Sequence, residues 1–333
     1  MNILVIGLGS MGKRRVRNLK ALDLKNIAGF DPRSDRCKES KEKYAIEVFE
    51  DFEQAMKNFK PNNFVISTPP DLHMHYAYFA YENNINCFIE ASVVDADKIR
   101  ELSKKIVDNS IIMAPSCTMR YYPGPKKIKE LISSKVVGEV LNINYQTGQY
   151  LPDWHPWEKI TDFYVSSRDT GGCREIVPFE LAWLNDVFGK SIPLACVKSK
   201  LTDMDADIDD IYHCILKYPN NVLANITVEV ISRPHVTREL RVLGTEGELV
   251  FSSDENCVRY TNTSTVEWVR FELDGGTLEK DYINPEEPYI EEMGDFISAI
   301  RNNDATFYPN TLLDDYVILQ TLYKLEELSE DIK

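Results

Sequence analysis

The chain has no long hydrophobic run. Its apolar stretches, such as Ile3 to Ile6, reach only the length of a buried strand, so no membrane-spanning helix is expected. A basic excess is also missing: 53 Asp and Glu stand against 38 Lys and Arg, for a formal net charge of -15. That balance argues against a nucleic-acid or anionic-membrane surface, but leaves room for an anionic small molecule in a local basic pocket. The seven cysteines, at 37, 87, 117, 173, 196, 214 and 257, contain no C-x-x-C pair. Zinc-ribbon spacing is therefore absent, and the odd count excludes a complete intramolecular disulfide framework. Free thiols in a reducing cytoplasm are the expectation. With no basic segment at the start to suggest a leader, the sequons at Asn225 and Asn262 are read as incidental.

What is present begins at once. The run Ile3-Leu4-Val5-Ile6 leads directly into Gly7-Leu8-Gly9-Ser10-Met11-Gly12 and then into a helical pattern, the order of a dinucleotide-binding strand, turn and helix. Gly7 permits the tight turn, Gly9 lets a pyrophosphate approach the backbone, and Gly12 allows the helix to pack on the strand. The phosphates are expected on the free amides of that helix, around Ser10 and Met11. Asp31 follows about 20 positions later, where a carboxylate accepts from ribose hydroxyls and repels a 2′-phosphate. This favours NAD, while Arg33 and Arg36 keep NADP open. The plain alternative for Asp31 is a capping residue before a helix.

At 333 residues with 43% hydrophobic composition, two domains are expected. Up to about residue 119, strands near 2–6, 26–30, 63–67, 86–89 and 111–114 alternate with amphipathic helices, the pattern of a doubly wound parallel sheet. One helix is expected to be capped by Asp95 or Asp97 and to bury Ile99, Leu102 and Ile106. In Ser67-Thr68-Pro69-Pro70-Asp71-Leu72-His73-Met74-His75 the prolines end a strand at its ligand-binding edge, with Asp71 expected to cap the next helix. His73 and His75 point apart on a helix, so His73 is read as a hydrogen-bonding residue near the cofactor, with no metal expected.

These motifs, together with Phe88-Ile89-Glu90 and Arg120-Tyr121-Tyr122-Pro123 leading into Ile128-Lys129-Glu130-Leu131-Ile132, make the whole chain similar to the Gfo/Idh/MocA oxidoreductases. The resemblance implies an α/β protein: a Rossmann domain over 1–119, then an α/β domain over 120–333 with a large open, mainly antiparallel sheet. It also implies that the final helices pack back toward the first domain and that a homodimer or homotetramer forms through the open sheet. It adds Thr68, Pro69, His73, Glu90, Ala91 and Arg120 to the expected cofactor contacts. The chain departs from the family where Glu-Lys-Pro, whose lysine contacts the nicotinamide region and the reacting hydroxyl, reads Glu90-Ala91-Ser92.

In the second domain, strands are expected near 139–149, 194–203, 210–217, 222–231, 236–243 and 247–251, with Leu249-Val250-Phe251 closing the sheet and helices over 288–302 and 311–328. The run Asp203-x-Asp205-x-Asp207-x-Asp209-Asp210 has Ile208 and Cys214 where a calcium loop has Gly and Glu, so a solvated turn is expected. Trp154, His155, Trp157 and Lys159 lie in a proline-rich connection that suits either the wall of a sugar site or a surface loop pinned by its tryptophans.

Aligned on Gly171-Gly172, Glu175 falls at the family's aspartate position and Phe179 at its histidine position. Oxidising a secondary alcohol requires a base, and Glu175 is the first candidate, with Glu180, His155, Tyr121 and Tyr122 in reserve. Structural pairing of Glu175 and Glu180 with Arg168 or Arg174 is the alternative. Arg120, Arg168, Arg174 and Lys159 could bind an anionic group on the substrate, and His235 is a further substrate-side candidate. The expected activity is NAD(P)-dependent hydride transfer at a secondary hydroxyl of a sugar, sugar phosphate or nucleotide sugar. Transient redox in an epimerase or eliminase, or a non-catalytic NAD(P)-binding sensor, are the alternatives.

Overall fold

The structure is a computed structural model that describes residues 1–107, 110–154, 159–280 and 282–330. Its first elements are β1 (Ile3–Ile6), α1 (Ser10–Ala21), β2 (Ile27–Phe30), α2 (Ser34–Tyr44), β3 (Glu47–Phe49), α3 (Phe52–Phe59), β4 (Asn63–Ile66), α4 (His73–Glu82), β5 (Asn86–Ile89), α5 (Ala96–Lys105) and β6 (Met113–Pro115). Then come α6 (Pro123–Ser133), β7 (Val140–Gly148), α7 (Cys173–Phe188), β8 (Ile192–Ser199), β9 (Ile211–Lys217), β10 (Leu223–Glu229), β11 (Thr237–Gly244), β12 (Gly247–Ser252), β13 (Cys257–Asn262), β14 (Val269–Glu272), α8 (Glu287–Asn302) and α9 (Leu312–Glu330).

Six strands form a parallel sheet in the order β3-β2-β1-β4-β5-β6. β1, β2 and β4 are buried along their whole length, as strands covered on both faces must be. The chain reverses its direction of travel across the sheet beside β1, and ligands of such sheets bind at the carboxyl ends of the strands there. The other sheet has eight strands in the order β14-β13-β12-β11-β7-β10-β9-β8. It is antiparallel except for β7 and β10. β9 shows its one-sided burial: Tyr212, Cys214 and Leu216 face inward while His213 and Ile215 are exposed.

By contacts, residues 1–118 and 276–317 form one unit, and 119–275 with 318–333 form the other. A single cut at 119 therefore does not describe the units, because the segment from Gly276 to Val317 belongs with the first. Charge pairing explains this: Glu286 accepts from Arg14 Nε at 3.1 Å, Arg17 Nη2 at 2.7 Å and Asn18 Nδ2 at 3.0 Å, all on α1.

Several local expectations are corrected. β3, β13 and β14 were not anticipated, and the sheet continues two strands beyond Leu249–Phe251 rather than closing there. Asp71 lies exposed within a 3₁₀ turn, Pro70–Leu72, and caps nothing. Asp95 occupies the cap position of α5 at φ +63 without accepting a cap bond, pairing instead with Lys98 at 3.0 Å. All seven cysteines are free and buried. Among the described residues, no helix is long and apolar enough to cross a membrane.

Candidate functional site

In the first unit the glycine loop has little freedom. Gly7 adopts φ +89, and a Cβ there would lie 2.6 Å from the Ser67 carbonyl oxygen; a Cβ on Gly12 would lie 1.8 Å from the Gly7 carbonyl oxygen. Gly12→Ala is expected to destabilise the protein by about 1–3 kcal/mol, read as a lower urea midpoint; an unchanged midpoint would mean the loop can open without cost.

No side chain caps α1 at Gly9, so the amides of Ser10, Met11 and Gly12 remain suited to an anion. Asp31, 2% exposed, ties the loop down, accepting from Leu8 N at 2.8 Å and Arg33 N at 2.9 Å. Arg36 Nη1 lies 3.6 Å from the same carboxylate and 3.5 Å from where a Gly9 Cβ would sit. The Arg33 side chain instead forks onto Asp35 in solvent.

At the end of β4, His73 Nε2 lies 2.9 Å from the Thr68 carbonyl. A carbonyl only accepts, so Nε2 carries the proton and buried Nδ1 is a bare acceptor. Burial keeps this ring neutral by lowering its pKa. His73 Nδ1 and Thr68 Oγ1 are both buried without a partner among the described residues, while Pro69 is exposed. Free helix amides, a close-approach glycine and these two unsatisfied polar atoms fit a dinucleotide at the carboxyl edge of the sheet.

Glu90 follows β5 and forms a fork with Arg15 of α1, at 2.6 and 3.0 Å. Ala91 is partly exposed. Arg15 is fully buried, lies 4.4 Å from the Phe88 ring centroid and also pairs with Glu292 of α8 at 3.0 Å. Burial opposes its charge, but the two carboxylates outweigh that and raise its pKa. Glu292 further accepts from Cys117 N and Thr118 Oγ1, each at 2.6 Å.

In the second unit Glu175 sits in the first turn of α7, where the helix dipole favours an anion. Burial works the other way and wins, raising the carboxyl to about 7 against the hydrogen bond from Tyr164. Tyr164 Oη donates to Oε1 at 2.8 Å. Oε2 is buried with no partner among the described residues. A carboxyl with one oriented oxygen, one oxygen unpartnered among the described residues and a near-neutral pKa is equipped to exchange a proton.

Glu180, the first reserve, is engaged elsewhere. It accepts from Tyr145 Oη at 2.5 Å, Trp183 Nε1 at 2.7 Å and Arg238 Nη2 at 2.7 Å, and is 1% exposed. The pairing partner is Arg238, not Arg168 or Arg174, and this network leaves the carboxylate unsuited to take up a substrate proton. Tyr121 is buried, with Lys126 Nζ 5.7 Å from its ring centroid.

Three of the four candidate substrate cations are engaged within the chain. Arg168 pairs with Asp207 at 3.1 Å and Asp209 at 2.7 Å, in the acidic turn. Arg174 pairs with Glu326 at 2.7 Å. Arg120 Nε donates to the Ala182 carbonyl at 3.0 Å, with Asp186 at 3.8 Å from Nη1. Lys159 and His235 are exposed. Trp154 is partly buried, and its indole Nε1 is buried without a partner among the described residues. His155 and Trp157 lie outside the described residues. Among the described residues, no group of three or more His, Cys, Asp or Glu is placed to hold a metal.

Residues 1–112 match the profile of an oxidoreductase family with an NAD-binding Rossmann fold, and residues 126–250 match the GFO/IDH/MocA C-terminal domain. No curated protein matches the chain. Among solved structures, the chain is similar to an oxidoreductase from Agrobacterium radiobacter in complex with NAD+, L-tartaric acid and magnesium, at 12% identity and TM-score 0.85, covering 100% of this chain and 97% of that one. A levoglucosan dehydrogenase in complex with NADH and levoglucosan is 16% identical at TM-score 0.84, with coverage of 100% and 98%. GenD2 from gentamicin A biosynthesis, in complex with NAD, is 16% identical at TM-score 0.81, with coverage of 100% and 95%. At these identities the likeness concerns the fold.

Proposed function

The chain belongs to the Gfo/Idh/MocA family of oxidoreductases, with an NAD-binding Rossmann fold in its first part, and from that premise we propose that it transfers hydride at a secondary hydroxyl of a neutral sugar or related polyol. The observation that carries the proposal is Glu175, whose carboxyl titrates at about 7 with Oε2 unengaged among the described residues. Ala91 stands where the family has lysine and Phe179 where it has histidine, so the chain needs another base, and Glu175 takes that role. Tyr164 orients it through Oε1. Trp154 is partly buried, and its indole donor has no partner among the described residues, which suits a hydroxylated ring.

A neutral substrate is preferred over a phosphorylated one because Arg120, Arg168 and Arg174 are answered by carboxylates and a carbonyl of the chain itself. The likeness to a levoglucosan dehydrogenase agrees with a carbohydrate. A homodimer or larger assembly through the eight-stranded sheet fits the exposure of Ile192, Val197, Ile215 and Leu223 on one face of it. The buried free cysteines suit a reducing cytoplasm.

The glycine loop, the N-terminus of α1, Asp31, Thr68 and His73 would hold the cofactor. Bound there, a nicotinamide dinucleotide supplies the hydride acceptor or donor. NAD is proposed over NADP because the buried Asp31 carboxylate disfavours a 2′-phosphate more than the single nearby Arg36 favours it. NADH is expected to bind about tenfold or more tightly than NADPH, a difference of about 1.4 kcal/mol. Asp31→Asn should narrow that ratio, whereas a wild-type preference for NADPH would reverse the assignment.

The activity itself is tested with purified protein, NAD and a panel of neutral sugars, polyols and sugar phosphates, following nicotinamide absorbance and deuterium transfer. Turnover on neutral members supports the reading. Cofactor binding without hydride exchange across the panel would instead favour a non-catalytic NAD(P)-binding role.

A further inference from the structure

The segment before α8 belongs to the first unit, and its described residues, 277–280 and 282–286, are tied to one another and to the helices beside the glycine loop. Glu286 N donates to the Thr277 carbonyl at 3.0 Å, and Thr277 N donates to Glu287 Oε2 at 2.8 Å. Glu279 pairs with Lys43 of α2 at 3.1 Å, and Arg14 of α1 donates to the Asn284 carbonyl at 3.1 Å. Between these anchors, the Tyr282 hydroxyl donates to the Ser10 carbonyl at 2.9 Å.

Ser10, Arg14 and Arg17 stand at i, i+4 and i+7, on one face of α1. Tyr282, partly exposed, lies along that face, its ring centroid 4.7 Å from the Arg14 guanidinium and 4.4 Å from that of Arg17. Its hydroxyl is thereby placed on the first residue of the helix. The Ser10 carbonyl has the Arg14 amide as its helical partner, so the phenol is a second donor to it. Every lysine and arginine in the first two turns of α1 is committed to a carboxylate: Lys13 to Glu39, Arg14 and Arg17 to Glu286, and Arg15 to Glu90 and Glu292. A pyrophosphate on the amides of this helix would therefore be met by neutral donors, and Tyr282 supplies one beside Ser10.

We propose that Tyr282 is a cofactor-binding residue: when a dinucleotide occupies the glycine loop, the phenol leaves the Ser10 carbonyl and donates to a pyrophosphate oxygen at the N-terminus of α1. The inference rests on the reading of the first unit as a nicotinamide-dinucleotide site. A phenol has one proton to give, and exchanging a neutral carbonyl for an anionic oxygen is favourable, because a hydrogen bond to an ion is about twice as strong as one between neutral groups. The contacts with Arg14 and Arg17 hold the ring on α1 whichever oxygen the hydroxyl serves.

The test is Tyr282→Phe, which keeps the ring over Arg14 and Arg17 and removes only the hydroxyl. By fluorescence titration the Kd for NADH is expected to rise about tenfold. ADP-ribose, which keeps the pyrophosphate and lacks the nicotinamide, should lose the same factor when it competes with NADH. Adenosine, which has no phosphate, should compete equally well in the variant and the wild type. Without ligand, the melting temperature of the variant should fall by no more than about 2–4 °C, since one hydrogen bond to a carbonyl is lost. An unchanged Kd for NADH, whatever the melting temperature, would make Tyr282 a packing residue and overturn the inference alone. A loss for adenosine as large as that for ADP-ribose would mean that the substitution deforms the site, and would overturn it as well. Failure of the wild type to bind NADH or NADPH would overturn the cofactor reading, and this inference with it.

Discussion

Glu175→Gln is expected to lower turnover by about 10²–10⁴-fold and, at the same time, to make the protein more stable at neutral and mildly alkaline pH. The two effects have one cause. Burial lifts the Glu175 carboxyl from 4.5 to about 7, so the native state holds this proton more tightly than the unfolded chain does. The resulting stabilisation is complete below the unfolded value near 4.5 and is lost as pH rises through about 7.

At 1.36 kcal/mol per pH unit, the loss by pH 8 is roughly 3 kcal/mol. Glutamine carries no charge at any pH and retains an oxygen for Tyr164, so it escapes that loss. Urea unfolding at pH 5 and at pH 8 should show a gain for the variant only at the higher pH. In the wild type, alcohol oxidation should rise as pH passes through about 7, since the ionised carboxylate is the base, and the reverse reduction should fall. A glutamine variant that turns over at the wild-type rate would remove the base assignment. Equal stability differences at both pH values would remove the burial argument.

Arg15→Met is expected to cost about 3–5 kcal/mol. It would strip a fully buried guanidinium from Glu292, whose side chain is 0% exposed, and from Glu90, at 13%. Two carboxylates would remain with no cation between them. Adding Glu292→Gln should recover part of the loss, because the residues share one network and their effects are not additive. Urea midpoints of the two single variants and the double variant measure this directly. A cost below about 1 kcal/mol for Arg15→Met would mean that water reaches the pair and screens it.

Five of the six strands of the first sheet were legible because each is a short, mostly apolar run between turn residues, and the glycine loop announced itself by spacing. β3 was not, since three residues whose first, Glu47, is exposed give no period. β13 and β14 are likewise short, polar and only partly buried. The site divided along a different line. Glu175 was singled out from its place after two glycines, whereas Arg15, Glu292, Asp315 and Arg238 were not.

Three of those four carried a signal. Arg15 falls between Gly12 and Leu19, Glu292 between Tyr289 and Phe296, and Asp315 between Leu312 and Leu319, each pair seven residues apart on the buried stripe of a helix. Glu180, between Val177 and Leu184, follows the same rule. A charge interrupting an apolar helical stripe marks a buried partner elsewhere in the chain, although it does not say which. The ion pairs of the candidate substrate cations were hidden for the complementary reason. Sequence order brought Arg168 and Arg174 near one another, but not the distant acids, Asp207, Asp209 and Glu326, that answer them.

The division of the first unit into residues 1–118 and 276–317 also bears on how the protein is made. When the sixth strand of the parallel sheet leaves the ribosome, Arg14, Arg15 and Arg17 have met neither Glu286 nor Glu292, and the face of α1 that receives α8 is still bare. Residues 119–275 must be synthesised first, which at about 5–20 residues per second takes roughly ten to thirty seconds. Throughout that interval the nascent cofactor domain is a sheet with one flank uncovered and a buried cation short of its second acid. Chaperone engagement and sensitivity to translation speed should therefore be greatest in this window, and a stalled chain ending before Gly276 should be captured far more readily than one ending after Val317.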